Sequence, residues 1–403
     1  MAIRLLFAHE KSHHNSVVAL LGAIEREMLA GDCDVRLVPP GQIVAEYEHA
    51  ATGKDRCLVG FPLATPDVPR FARTAASIRP IFRPGDLILA GGPHPTAADE
   101  ATLALGADVV FRGEADLSFP LFVRALLSGK EWRDLPGLSF LDGSRVVRIP
   151  PPEPIAMDRV RSRFSPLRLL APLELTRGCP CRCHFCQTPW LWGHGPRHRS
   201  PDNVLDELTH YRPSFFARFL SPNAFGYLAE RPGQPNVPAI VALLESARAR
   251  HPMLRIIFGM FPGEVRPEYV RRDLVRAIRP LLANRYLAVG AQSGSDHVLA
   301  MTRRGHTAAD ALHAAEIILG EGMGILVDIL FGLPGESPDD VRQTLCLMER
   351  IESWGGRFRA HIFTPLPGTP FADSAPAPPL DQETLAFLDD MARRGRLEGQ
   401  WRR

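Results

Sequence analysis

The sequence predicts an α/β protein in two parts, a doubly wound parallel sheet followed by a partial (β/α)6 barrel. Three observations predict it. Short apolar runs alternate with helix-spaced segments along the first part of the chain. A proline-dense stretch, Ile149-Pro150-Pro151-Pro152-Glu153-Pro154, then breaks the pattern, because proline removes a backbone donor and cannot sit in a central strand or a helix interior. From Leu173 the alternation resumes and runs through six strand–helix units.

In the first part, strand-like runs lie at 3–8, 35–38, 57–61, 87–90 and 108–111. Within 15–29, Val18, Leu21, Ile24 and Met28 share one helical face, and further helical patterns fall at 69–78, 97–105 and 117–127. Strands separated by helices pair in parallel with both faces covered, which gives a Rossmann-like sheet that binds ligands beyond its carboxyl strand ends. Two strand exits carry glycine there. Leu89-Ala90 enters Gly91-Gly92-Pro93-His94-Pro95, and Phe111 enters Arg112-Gly113-Glu114. Such glycines let a backbone approach a ligand closely, or simply make a tight turn. No G-x-G-x-x-G follows the first strand, which weakens a nicotinamide-dinucleotide reading.

The expected division is a Rossmann-like domain over 1–149, a proline-rich linker over 150–172, a barrel over 173–370 and a C-terminal extension with a helix over 371–403. The barrel strands are expected at 173–176, 216–220, 254–258, 286–290, 325–331 and 359–363. Helices are expected at 201–211, 237–250, 267–278, 296–301, 308–319 and 338–351. The tail is amphipathic from Asp381, and its end, Trp401-Arg402-Arg403, is expected to fray at the surface.

Composition bounds the function. A net charge of +2 over 403 residues gives no bulk electrostatic case for nucleic acid. No apolar stretch approaches the roughly 20 residues of a membrane span. Met1 to Glu10 lacks a signal-peptide pattern, so a cytoplasmic protein with no membrane partner is expected. Seven cysteines is an odd number, and four of them crowd between 179 and 186. That clustering in a long chain points to metal rather than to a disulfide framework.

The cysteine segment, Thr176-Arg177-Gly178-Cys179-Pro180-Cys181-Arg182-Cys183-His184-Phe185-Cys186, follows directly on a strand. Cys179, Cys183 and Cys186 have C-x3-C-x2-C spacing, which lets one loop wrap three thiolates around one face of a cubic iron–sulfur cluster and leave one iron open. Zinc on all four cysteines is an alternative, but C-x-C-x-C-x2-C is tighter than the usual paired zinc knuckles. Cys181 reads as a bystander, and Cys33, Cys57 and Cys346 as small core hydrophobes. Trp190 and Trp192 suit either a pocket or packing, and Arg197, His198 and Arg199 read as a solvated basic loop.

The cysteine segment resembles the signature of the radical S-adenosylmethionine (SAM) superfamily, with Phe185 as the aromatic residue before the last cysteine. Four later blocks resemble the same family in order. They are Phe219-Leu220-Ser221-Pro222-Asn223, Gly290-Ala291-Gln292-Ser293-Gly294-Ser295-Asp296 with Arg304-Gly305-His306-Thr307, Phe331-Gly332-Leu333-Pro334-Gly335-Glu336, and Pro365-Leu366-Pro367-Gly368-Thr369-Pro370. The resemblance implies a [4Fe–4S] cluster on Cys179, Cys183 and Cys186. It implies SAM contacts from Phe185, Ser221, Asn223, Gln292 and Ser293. Gln292 stands where relatives often have Glu; it keeps the carbonyl acceptor and loses the charge. The chemistry implied is one-electron cleavage of SAM to methionine and a 5′-deoxyadenosyl radical, fed by an external donor such as flavodoxin or ferredoxin.

Gly91 to Thr96 and Gly106 to Glu114 are similar to the cobalamin-binding domains that precede many radical SAM domains. That similarity implies cobalamin contacts from Phe61, Gly91, Gly92, His94, Gly113 and Glu114. The D-x-H-x-x-G motif that supplies a cobalt-ligating histidine elsewhere is absent, as it is in many radical SAM members. The expected activity is methyl transfer to an unactivated carbon of a small molecule or peptide. A non-methylating radical enzyme and a non-catalytic iron–sulfur or corrinoid sensor are the alternatives. A methylthiotransferase fits less well, since such enzymes carry a second cluster on N-terminal cysteines and only Cys33 and Cys57 are present there.

Overall fold

The computed structural model describes residues 3–212 and 216–402, so Met1, Ala2 and Arg403 of the sequence-predicted ends lie outside the described residues. The chain divides into two compact units, 1–171 and 172–403.

The first unit is a seven-stranded sheet. Its strands are β1 (Ile3–Ala8), β2 (Cys33–Val38), β3 (Arg56–Pro62), β4 (Leu87–Gly91), β5 (Val109–Phe111), β6 (Leu138–Asp142) and β7 (Arg145–Arg148). They lie in the order β2-β1-β3-β4-β5-β6-β7, the first five parallel and the last two antiparallel. Successive residues of a strand face opposite layers, and both layers here are apolar. Ile3, Leu5 and Phe7 pack with α1 (His14–Arg26), whereas Leu6 and Ala8 pack with α2 (Ile43–Ala51) and α3 (Val68–Ile78). The short α4 (Pro93–Ala97) and α5 (Asp99–Ala104) complete the second layer. On the first, α6 (Ala115–Leu127) adds Phe119, Phe122 and Val123. The expected doubly wound sheet is present, and the β6–β7 hairpin extends it.

The proline-dense segment belongs with this unit. Phe164 enters the same core, and a side chain at Gly22 of α1 would meet the Arg163 carbonyl at 2.8 Å. Arg163–Phe164 and Leu169–Leu170 pair as a two-residue ladder.

The second unit holds β8 (Leu173–Glu174), β9 (Phe216–Leu220), β10 (Arg255–Ile257), β11 (Tyr286–Gln292), β12 (Gly324–Phe331), β13 (Arg357–Ile362) and β14 (Leu397–Gln400). All pairs are parallel. β10 and β11 are joined through Val265 opposite Val289 and by Ala288 N–H donating to the Gly259 carbonyl at 2.8 Å. The connecting helices include α7 (Thr188–Trp192), α8 (Pro201–Leu208), α9 (Val237–Arg250), α10 (Arg272–Ile278), α11 (Asp296–Met301), α12 (Ala308–Gly320), α13 (Pro338–Ser353) and α14 (Gln382–Arg393). The six expected strand–helix units are all present. The tail differs from the expectation, because Leu397–Gln400 forms a seventh strand on β13 and Trp401 Nε1 donates to Asp389 at 3.2 Å. No helix among the described residues is long and apolar enough to cross a membrane.

Candidate functional site

The cysteine loop is closed at its base by a two-residue antiparallel ladder, Thr176 opposite His198 and Arg177 opposite Arg197. Gly178 takes φ +84, and a side chain there would meet the Gly195 carbonyl oxygen at 2.7 Å. Glycine is therefore what lets the two ends of the loop touch. Cys179 N–H donates to the Gly193 carbonyl at 3.2 Å, and Trp190 Nε1 donates to the Cys183 carbonyl at 3.1 Å. Gln187 ties the loop to the Pro367 carbonyl at 2.8 Å, and His184 N–H reaches Thr302 at 3.0 Å. Trp190 is thus a brace of the loop. Arg199 departs from the solvated-loop expectation: it is fully buried, donating to the Glu174 carbonyl at 2.9 Å and to Asn203 at 2.5 Å.

Cys183 is 3% exposed, and the other three loop cysteines are half-buried. Burial pushes the Cys186 thiol up. Cys181 hydrogen-bonds with Cys179, which draws the Cys181 thiol down and the Cys179 thiol up, and Arg266 and Arg304 add to the effect on Cys181. The donors the loop offers are thiols, the ligand type that iron–sulfur clusters take. Cys179 and Cys181 line a cavity of about 130 Å³ with Asn223, Arg266 and Tyr269.

The remaining predicted SAM residues separate into two groups. Asn223 faces that cavity, and its Oδ1 accepts from Arg266 N–H at 3.3 Å. Gln292 is a non-glycine residue at φ +76 on a bulge in β11, a strained conformation of the kind held at functional sites. Ser221 and Ser293 instead hold their loops. The Ser221 hydroxyl donates to the Asn223 carbonyl at 2.9 Å. Ser293 has no exposed surface, and its hydroxyl pairs with Thr344 at 3.1 Å. Phe185 packs beside Val298, Leu333 and Phe363.

Sequence reasoning missed the charged groups around these strands. Arg266 and Arg304 both donate to the Cys183 sulfur, at 3.6 and 3.5 Å. Farther along, Arg359 bridges Asp328 at 2.7 Å and Glu264 at 3.1 Å, and burial pushes both carboxyls up. Arg304 belongs to the Arg304-Gly305-His306-Thr307 segment, whose residue types alone do not show which side chain reaches a cysteine. Arg266 has no local sequence signal, since its role depends on a contact 83 residues away.

In the first unit, Pro62, Gly91 and Phe111 share one register row, so the exits of β3, β4 and β5 lie side by side. Gly113 takes φ +73 with open space around it. Gly92 takes φ +108, and a side chain there would meet the Leu63 carbonyl at 2.8 Å, so it serves close chain packing. His94 pairs with Thr65 Oγ1 at 3.2 Å, and burial lowers its pKa. Glu114 precedes α6 as its N-cap residue. Phe61 is buried and edge-on to Phe71, with ring centroids 5.0 Å apart.

Known proteins match this arrangement. Residues 173–348 match the family described as the radical SAM superfamily. An uncharacterized methyltransferase of Pyrococcus horikoshii is 25% identical over 74% of this chain and 65% of its own length. A tRNA-2-methylthio-N(6)-dimethylallyladenosine synthase of Thermus thermophilus is 30% identical over 50% of this chain and 42% of its own. The chain thus spans less than two thirds of either relative. Among solved structures, the radical SAM methyltransferase TsrM of Kitasatospora setae, with cobalamin and a [4Fe–4S] cluster bound, covers 92% of this chain and 74% of its own at TM-score 0.72 and 16% identity. The cobalamin-dependent SAM radical enzyme OxsB covers 87% of this chain and 52% of its own at TM-score 0.67 and 16% identity. These two likenesses are likenesses of fold. The cysteine loop and the strand-end blocks as far as Glu336 all fall within residues 173–348, the part of this chain that matches the radical SAM superfamily.

Proposed function

We propose that this chain is a cobalamin-dependent radical SAM methyltransferase acting on an unactivated carbon of a small molecule or peptide. The observation that carries the reading is the C-x3-C-x2-C loop at the exit of β8, in one chain with a parallel sheet whose strand exits at Gly91 and Gly113 lie together. A bound [4Fe–4S] cluster supplies the electron and open iron for SAM cleavage, and cobalamin supplies a methyl carrier. The chain's own residues hold and orient. Cys179, Cys183 and Cys186 hold the cluster. Asn223 and Gln292 offer amide groups to SAM at neighbouring loops. Trp190, Gly178 and Gln187 keep the cysteine loop in place. Flavodoxin or ferredoxin is the class of electron donor the chemistry calls for.

The test is anaerobic reconstitution with iron, sulfide and hydroxocobalamin, followed by ultraviolet–visible and EPR spectra and product mass. A protein that forms the cluster and binds cobalamin, and adds one CH₂ to a substrate, supports the reading. A cluster without cobalamin binding removes the cobalamin half.

The similarity to tRNA methylthio-synthases favours a second reading, methylthiolation. It needs a second cluster on N-terminal cysteines. Cys33 pairs with Ile3 and Cys57 with Arg4, on opposite sides of β1. Two strand spacings, roughly 9–10 Å of backbone, therefore separate them. Cys33 packs in the layer of Ile3 and Leu5 and Cys57 in the layer of Leu6 and Val59, and these opposite faces of the sheet weigh against a shared cluster.

A further inference from the structure

Cys183 has two buried cationic neighbours. Arg304 Nη1 donates to its sulfur at 3.5 Å and Arg266 Nη1 at 3.6 Å. The two arginines are 9% and 4% exposed. Burying a guanidinium costs several kcal/mol unless its donors are satisfied. Arg266 Nε is matched by Glu268 at 2.5 Å, and its Nη2 donates to the Arg304 carbonyl. Arg304 Nη2 is matched by the Gly290 carbonyl at 2.5 Å, while its buried Nε has no partner among the described residues.

The chain makes room for this pair. A side chain at Gly290 would stand 2.7 Å from Arg304 Nη2, so β11 is stripped to glycine where the guanidinium passes. Asn223 fixes the Arg266 backbone from the exit of β9. Among the described residues, one carboxylate, Glu268, is bonded to the pair, so two positive charges meet one negative charge beside the Cys183 sulfur.

We propose that Arg266 and Arg304 are positioning residues that raise the reduction potential of the cluster held at Cys179, Cys183 and Cys186. The proposal rests on the iron–sulfur reading above. Its physics is general: hydrogen bonds to ligating sulfurs and the local net charge set cluster potentials. A [4Fe–4S] core with three thiolates carries one net negative charge oxidised and two reduced. Donors and positive charge at the sulfur therefore stabilise the reduced form more. The added electron comes from the external donor, and no bond at Cys183 is made or broken by the two arginines.

The experiment is an EPR-monitored redox titration of the reconstituted full chain, wild type against Arg304→Gln and Arg266→Gln, with iron content measured on each. At the wild-type midpoint, the ratio of reduced to oxidised cluster in each variant falls about tenfold, equivalent to about 59 mV for one electron. Arg304→Lys keeps the charge and falls less. Midpoints unchanged in both Gln variants overturn the proposal.

A second measurement covers variants that fail to assemble. Wild-type protein labelled with nitrogen-15 in its arginine side chains shows weak nitrogen couplings in the pulsed EPR spectrum of the reduced cluster. A spectrum without such couplings overturns the proposal. A wild-type protein that binds no cluster defeats the iron–sulfur reading itself, a failure plainly distinct from an unmoved potential.

Discussion

The carbonyl oxygen of Gly195 lies 2.7 Å from where a side-chain carbon on Gly178 would stand. The contact closes the cysteine loop, and it is one-sided: a side chain at Gly195 would have nothing within 4 Å. Gly178 also sits at φ +84, which costs a non-glycine residue about 1–3 kcal/mol. Gly178→Ala is therefore expected to lose most of its iron on reconstitution, and Gly195→Ala to keep it. Iron and sulfide analysis of the two proteins, prepared side by side, checks this. Equal iron in both would show that the approach does not hold the loop.

Trp190 makes a quantitative case. Its indole N–H donates to the Cys183 carbonyl, and replacing it with phenylalanine keeps most of the apolar bulk. A lost hydrogen bond of this kind costs about 1 kcal/mol. Trp190→Phe is expected to bind the cluster and to release it faster under a chelator, read as the decay rate of cluster absorbance. A rate equal to wild type would remove Trp190 from the support of the loop.

Gly294 supports the bulged end of β11. A side chain there would meet the Gln343 carbonyl at 2.6 Å and the Thr344 backbone at 2.7 Å, both on α13. Gly294→Ala must push the Gln292–Ser295 loop away from its helix. The expected result is SAM binding weakened by about tenfold, or roughly 1.4 kcal/mol, with cluster content unchanged. Equilibrium binding of SAM to the reconstituted protein measures it, and unaltered affinity would detach this loop from SAM.

Asp340 gives a pH dependence. Burial alone would raise its pKa, but hydrogen bonds from Ser295 and Ser337 more than offset burial and hold the carboxyl down to about 2. A carboxyl lowered in the folded state adds stability above its unfolded value, near 4, and loses it as pH falls toward 2. Asp340→Asn should therefore cost about 2 kcal/mol near neutrality and much less at the lowest pH where the protein still folds. Urea unfolding at several pH values tests the slope. A cost independent of pH would assign the effect to packing.

The alternation of apolar runs and helical patterns made both sheets legible in the sequence, because buried parallel strands must be apolar on both faces. β14 was not legible for the converse reason. Leu-Glu-Gly-Gln at an edge buries only Leu397, so it carries no apolar run. The β6–β7 hairpin lay beside a proline cluster that read as a boundary. At the site, the cysteine spacing is local and could be read directly. Whether Ser221 and Ser293 face open space or their own loops depends on neighbours that the motif does not contain. Arg199, Arg266 and Arg304 look like ordinary surface arginines in the sequence, and only long-range contacts reveal that they are buried.

The two functional readings differ in iron. One cluster per chain corresponds to four irons, and a methylthiotransferase would need a second cluster. Cys33→Ser/Cys57→Ser is expected to retain full iron content, measured by chemical assay and Mössbauer spectroscopy. Loss of about half the iron would restore the methylthiolation reading.

SAM cleavage by reconstituted wild-type protein and by Cys183→Ala, followed under reducing anaerobic conditions, tests the central claim most directly. The wild type is expected to show a cluster EPR signal that changes on adding SAM and to consume SAM. Cys183→Ala should do neither. A Cys183→Ala protein that still cleaves SAM, or a wild type that assembles no cluster, would contradict it.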